Sequence, residues 1–271
     1  MNVTFSERFQ KLSQKRRTLL CIGLDPDPER IPAEYLRDGN AGILAFLLDV
    51  VVATQGLAAA FKPNLAFFEA LGRDGWSLFA DLVQKIREQD PTALIIADAK
   101  RGDIGNSAAA YARAFFEELD CDALTVNPYM GDDTLKPYLA HTNRAVIILC
   151  LTSNPGASVF QLAGDPPLYL RVARESALLQ KEFGNVWMVV GATRTPEQMK
   201  RIRETAPDVP WLVPGIGAQG GNLASVVSIT GGQALINASR SILYATEERA
   251  AVPEAARTAA EELVKEMRKF L

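Results

Sequence analysis

The chain has 271 residues; at about 150 residues per domain that leaves room for roughly two, although barrels of about 250 fold as one. Its 48% hydrophobic and 23% charged residues are the composition of a globular protein with a large core, which excludes a disordered or collagen-like chain. A formal net charge of −3 argues against a general nucleic-acid or membrane-surface binder, while a local positive site stays possible.

Three cysteines, Cys21, Cys121 and Cys150, are an odd number without CxxC spacing, so disulfides and a structural zinc are not expected. They read as core or surface-neutral thiols. A single histidine, His141, rules out any mechanism that needs a histidine pair or a multi-histidine metal site. It lies between a helix and a strand and reads as a loop or helix-end residue rather than a catalyst. The N-terminal segment has no apolar signal core. The most apolar stretch, 43–54, is short and carries Asp49, so it cannot span a bilayer. The expected location is the cytoplasm.

In chain order, Thr4-x-x-Glu7 has the form of a capping box, and Phe5, Phe9 and Leu12 follow at helical spacing. The basic run Lys15-Arg16-Arg17 reads as the solvated end of that helix. Short apolar runs then recur at 19–24, 57–61, 94–97, 123–126, 145–151, 186–190, 211–213 and 234–236. Their near-continuous apolarity suits strands buried on both faces of a parallel sheet. Helical periodicity fills 42–54, 76–89, 107–119 and 196–204 between them, and 253–270 closes the chain. Eight strand–helix units point to an α/β single-domain (β/α)8 barrel over 1–271, with a short N-terminal and a C-terminal helix. An open doubly wound sheet is the alternative. Two connections are long: the Pro-rich 25–35 and the Gly-, Pro- and Ser-containing 152–169.

Barrel enzymes place their reactive groups where strands end, and the polar residues of this chain fall there. Asp25 ends the first run and Lys62 the second. The third ends in Asp98-Ala-Lys100-Arg-Gly-Asp103, Ser153 follows the fifth, and Asn237-Ala-Ser239-Arg240 follows the eighth. Asp98 and Lys100, two apart on a strand, point to the same side. Unlike charges at the mouth of an apolar strand are costly to bury unless each offsets the other. With Lys62 approaching from the next strand and Asp103 past the Gly102 turn, two lysines and two aspartates can form an alternating array. Carboxylate neighbours keep a lysine protonated, and such a lysine can stabilise a developing carbanion and then supply its proton. The plainer reading is a structural ion-pair network at the barrel mouth.

Gly215-x-Gly217-x-x-Gly220 formally matches a dinucleotide fingerprint. That motif belongs after a first strand, with an acidic residue about 20 positions on; here it comes late, with Asn237 and Arg240 at that distance. A phosphate cradle after the seventh and eighth strands is the better reading. Arg240 would add a bidentate contact and Gln219 a side-chain donor. The plainer reading is that the glycines make tight turns.

Asp98-Ala-Lys-Arg-Gly-Asp103-Ile-Gly-Asn-Ser107 resembles the Asp-x-Lys-x-x-Asp signature of the orotidine 5′-phosphate decarboxylase family. The likeness runs from Ile22-Gly-Leu-Asp25 to Arg240, and Phe61-Lys-Pro-Asn-Leu-Ala-Phe-Phe-Glu69 looks like the longer, bacterial-type branch. It implies a homodimeric (β/α)8 barrel that converts orotidine 5′-monophosphate to UMP and CO2, the last step of UMP synthesis, with no metal and no organic cofactor. Carried over, Lys100 would protonate C6 and Asp98 would sit beside the departing carboxylate. Asp103 and Ser107 would reach in from the partner subunit. Lys62 and Asp25 would hold ribose hydroxyls, and Ser153 would contact the pyrimidine. Gln219, Arg240 and backbone near Gly217, Gly220 and Ser239 would bind phosphate.

Three alternatives stand beside this one. A relative in the same superfamily would bind Mg2+ through an acidic residue at the end of the second strand and act on sugar phosphates; here Lys62 stands there and would repel the ion. A Schiff-base aldolase needs a neutral lysine, against the influence of Asp98 and Asp103. A non-catalytic nucleotide-binding protein would bind UMP without turning over substrate.

Overall fold

The computed structural model describes residues 3–216 and 221–271. Eight parallel strands close into a barrel, each paired to its neighbour in chain order and the last to the first. They are β1 (Leu20–Leu24), β2 (Ala60–Pro63), β3 (Leu94–Arg101), β4 (Ala123–Val126), β5 (Ala145–Leu151), β6 (Val186–Val190), β7 (Trp211–Pro214) and β8 (Ala234–Ala238). Closure shows in the register of Cys21, which lies opposite Ala60 on one side and Asn237 on the other. All residues of β1, β2, β4, β6 and β8 are buried, which is why their sequence reads as apolar runs rather than as alternation.

Helices α1 (Phe5–Arg16), α2 (Gly39–Ala53), α3 (Gly75–Gln89), α4 (Gly105–Arg113), α5 (Lys136–Leu139), α6 (Leu168–Phe183), α7 (Pro196–Thr205), α8 (Leu223–Thr230) and α9 (Val252–Met267) precede and separate the strands. The capping box on α1 forms: the Glu7 N–H donates to Thr4 Oγ1 at 3.2 Å and the Thr4 N–H to Glu7 Oε2 at 2.8 Å. A second box, Thr195 with Gln198, opens α7 behind Pro196. The single helix expected over 107–119 is α4 followed by a widened π turn at Ala114–Glu118. Helix α6 was not among the segments named from sequence. It runs 16 residues between Pro167 and Gly184, whose left-handed φ of 78° ends it.

The second strand lies later than the expected 57–61. The Leu57 N–H is bound by Thr54 O in the turn leaving α2, so pairing starts at Ala60 and carries Lys62 to the rim. The third strand continues four residues past the expected Ala97.

Helix α1 seals the barrel floor. Phe5 and Phe9 meet the Trp187 ring edge-on, each at 5.2 Å, and Trp187 Nε1 donates to Ser6 Oγ at 3.0 Å. Each buried phenylalanine contributes about 2 kcal/mol through area removed from water. The reading of Lys15-Arg16-Arg17 as a solvated end is corrected at its middle residue. Arg16 lies 2.7 Å from Asp90 Oδ1 and donates to Ala58 O at 2.5 Å, so it clamps the helix to the floor while Lys15 and Arg17 stay exposed. The three cysteines are buried and unpaired. His141 sits in the turn after α5 with its ring 5.2 Å from that of Phe116, far from the strand ends that carry the lysines. Among the described residues, no helix is long and apolar enough to cross a membrane.

Candidate active site

The opposite rim gathers the charges. Asp98 lies near the end of β3, where the strand leaves regular pairing: Ala97 is opposite Leu124 and Arg101 opposite Val126, with three residues between on β3 and one on β4. Within this bulge Lys100 takes a left-handed backbone with φ 48°. For a residue with a Cβ that conformation costs about 1 kcal/mol or more and marks a place held by its surroundings. The simple alternation of a strand therefore does not apply at Lys100, yet the two side chains do meet. Lys100 Nζ lies 2.7 Å from Asp98 Oδ1, and Lys62 Nζ, from β2, lies 2.8 Å from Oδ2.

Asp98 is thus one carboxylate between two ammonium groups. Burial alone would raise its pKa; Lys62 and then Lys100 instead hold the carboxyl well below the usual carboxylate range. Burial alone would likewise lower Lys62, but Asp98 first and Asp25 second hold it above the usual lysine range. Both groups are therefore charged at neutral pH. The side chain of Lys62 is 5% exposed and that of Lys100 48%, so Lys62 is committed to the cluster while Lys100 faces open space.

Two cavities meet at this cluster, with Lys62, Asp98 and Pro214 common to both. One, of 490 Å³, is also lined by Asp25, Ser239 and Arg240. The other, of 450 Å³, holds Lys100 and Ser153. Each falls in the size range of small-ligand sites. Asp25 is fixed by Ser239, whose Oγ donates to Oδ2 at 2.6 Å. Its other oxygen is buried and finds no donor among the described residues. Gly23 makes this approach possible, because a Cβ there would lie 2.7 Å from Ser239 Cβ. In the second cavity Gly191 plays the same part, since a Cβ would come within 3.0 Å of Ser153.

The sequence-predicted residues thus divide. Asp25, Lys62, Asp98, Lys100, Ser153, Ser239 and Arg240 line the two joined cavities. Gly217, Gln219 and Gly220 lie outside the described residues. The chain flanking them pairs Ile216 with Gly221, and Gly215 and Ile216 line the larger cavity. Asp103 is not joined to the lysines within this chain. Its Oδ1 accepts from the Ile104 N–H at 2.7 Å, and among the described residues it makes no ion pair with Lys62 or Lys100. Ser107 is exposed on the first turn of α4.

Sequence reasoning missed three contributors. Thr125 of β4 is buried against Asp98, with Oγ1 2.9 Å from Oδ1. Arg30 lines the larger cavity and stacks on Tyr244 at 4.3 Å. The Tyr244 hydroxyl ties down the β1 loop by accepting from the Asp27 N–H at 2.8 Å. A hydroxyl inside the apolar run Ala-Leu-Thr-Val was a readable signal for the first. Nothing local in the sequence links residue 244 to residue 27.

Fold and site together define an enzyme of the barrel class that acts on a small substrate with charged side chains of its own. A sequence model of the orotidine 5′-phosphate decarboxylase / HUMPS family matches residues 18–255, and the chain belongs to that family. It is 48% identical over 250 residues to a protein from Roseiflexus sp. named orotidine 5′-phosphate decarboxylase, covering 90% of each. A protein of the same name from Porphyromonas gingivalis is 44% identical over 265 residues, covering 95% of this chain and 94% of its own. The solved OMP decarboxylase of Leishmania donovani superposes with a TM-score of 0.82 at 36% identity, covering 97% of this chain and 98% of that one.

Proposed function

We propose that this chain decarboxylates orotidine 5′-monophosphate to UMP and CO2. The observation that carries the reading is the single buried carboxylate of Asp98 held between Lys62 and Lys100. In this reaction the bond from C6 to the carboxylate breaks, CO2 leaves, and the electron pair stays on C6 in an orbital the ring cannot delocalise. Fixed charge must then stabilise the anion, and preorganised ammonium groups in a water-poor site do so without reorganising. Lys100, half-exposed toward the smaller cavity, is the group suited to stabilise the anion and hand it a proton. Solvent then restores the proton on Lys100. Asp98 keeps Lys100 charged and lies where the departing carboxylate would feel it.

The larger cavity suits the ribose phosphate. The oxygen of Asp25 that finds no donor among the described residues offers an acceptor for a ribose hydroxyl, with Lys62 beside it. Arg240, which lines the same cavity, would be a bidentate donor for phosphate, with Gln219 and the backbone of Gly217, Gly220 and Ser239 assigned to the same group. Ser153, which lines the smaller cavity, would hydrogen-bond the pyrimidine. Binding energy from the remote phosphate can be used on the transition state.

A homodimer completes this reading. Within one chain the array has three members, and Asp103 with Ser107 would supply the rest to the partner's site. A divalent cation at the end of β2 would face the Lys62 ammonium, which disfavours a Mg2+-dependent reaction on the same scaffold.

The test is direct. Orotidine 5′-monophosphate added to the purified chain in EDTA should lose its absorbance and yield UMP. UMP binding without turnover would instead favour a nucleotide-binding protein. The Lys100→Ala variant should fold and lose about a thousandfold or more in kcat; a near-wild-type rate would remove Lys100 from its role.

A further inference from the structure

Strand β4 carries one polar side chain, and it faces the charge cluster. Thr125 is fully buried, and its Oγ1 makes two contacts of 2.9 Å, to Asp98 Oδ1 and to the Lys100 backbone nitrogen. A backbone N–H can only donate, so the hydroxyl accepts there, and its one proton is committed to Asp98. The direction of both hydrogen bonds is therefore fixed.

The bulge explains why this hydroxyl is needed. Three residues of β3 stand where β4 has one, so the Lys100 N–H falls outside the ladder. A backbone N–H that leaves the ladder needs another acceptor. Thr125 supplies the missing acceptor from the side chain, and this bond holds Lys100 at its φ of 48°. Asp98 is gripped from both flanks, by Lys62 of β2 and by Thr125 of β4.

We propose that Thr125 is a positioning residue for the Asp98–Lys100 pair, one hydroxyl fixing both the carboxylate and the backbone from which the lysine reaches the cavity. The proposal rests on the function proposed above for its kinetic readout. Thr125→Val keeps the shape and removes the hydroxyl. The loss of one hydrogen bond to a charged group should lower kcat by about ten- to a hundredfold, with KM and the affinity for UMP by calorimetry within about threefold of wild type. Thr125→Ser should restore kcat to within about threefold. Were Thr125→Val not to fold, Thr125→Cys carries the same expectation with a poorer acceptor. An unchanged kcat in a destabilised Thr125→Val protein, a serine variant as slow as the valine one, or UMP affinity falling as far as kcat would overturn the proposal.

A second readout is independent of turnover. Hydrogen exchange at the Lys100 amide in the unliganded protein should be faster by about tenfold or more in Thr125→Val and near wild type in Thr125→Ser. Unchanged protection in the valine variant would overturn the proposal even if the chain did not decarboxylate this substrate. Loss of protection in Thr125→Val, beside a wild-type chain that does not turn the substrate over, would leave Thr125 in its place and reject the proposed reaction instead.

Discussion

Lys62 and Asp98 face each other across neighbouring strands at 2.8 Å, both less than a tenth exposed. Removing Lys62 leaves the buried Asp98 carboxylate with Lys100 as its remaining cation and costs about 2 kcal/mol or more. Lys62→Met should therefore unfold at a Tm lower by roughly 4–8 °C and lose activity. The pH dependence follows from the shifts. Asp98 is held below its ordinary range, so its contribution to stability is complete above about pH 4 and fades as pH falls further. Lys62 is held above its ordinary range, so its contribution is complete below about pH 10 and fades only as pH rises beyond that. Thermal melts across pH should be flat through neutrality at this pair. In Lys62→Met the acid limb should be smaller, because Asp98 has lost one of its two cations and its carboxyl is held less far below the ordinary range.

The barrel was legible because the strands are buried on both faces over most of their length, so eight apolar runs announced themselves without alternation. The reactive triplet was legible because Lys62, Asp98 and Lys100 each sit at the end of such a run. The bulge at Lys100 was not, since nothing in Asp-Ala-Lys signals a left-handed residue. The acceptor that meets its freed N–H, Thr125 of β4, lies 25 positions away. The clamp on Arg16 was hidden for the same reason: its partner Asp90 belongs to the turn before β3. Local pattern reports burial and periodicity; pairings across the barrel depend on closure.

At the floor, Asp122 gives a contrast to the rim. Its side chain is 1% exposed and lies 2.6 Å from Arg8, 2.5 Å from Arg87 and 3.5 Å from Arg144. It also accepts the Ile95 N–H at 2.8 Å. Asp122→Ala should cost about 3 kcal/mol of stability, read by urea unfolding. The kcat and KM of the folded protein at 25 °C should stay near wild type, because the lesion is at the end of the barrel away from Lys100. A large loss of kcat in the folded variant would show that the floor and rim are coupled.

Arg240 stands in the larger cavity, remote from the Lys100 side of the cluster. Arg240→Ala should raise KM and lower kcat/KM for orotidine 5′-monophosphate by about tenfold to several hundredfold, the worth of a charge-assisted contact to phosphate. The slow turnover of orotidine, which has no phosphate, should hardly change. Equal impairment of both substrates would place Arg240 outside phosphate recognition.

Asp103 turns its carboxylate to its own Ile104 N–H and makes no ion pair with Lys62 or Lys100 in one chain. If it completes the site of a second copy, two inactive proteins should repair each other. In an isologous dimer a heterodimer of Lys100→Ala and Asp103→Ala chains has one site with both lesions and one with neither. Random exchange makes about half the dimers mixed, so the mixture should recover about a quarter of wild-type activity. Dissociation and reassociation of the two variants, followed by the orotidine 5′-monophosphate assay, reads this directly. A mixture no more active than its components, with exchange verified by differently tagged chains, would mean that Asp103 serves its own subunit or none.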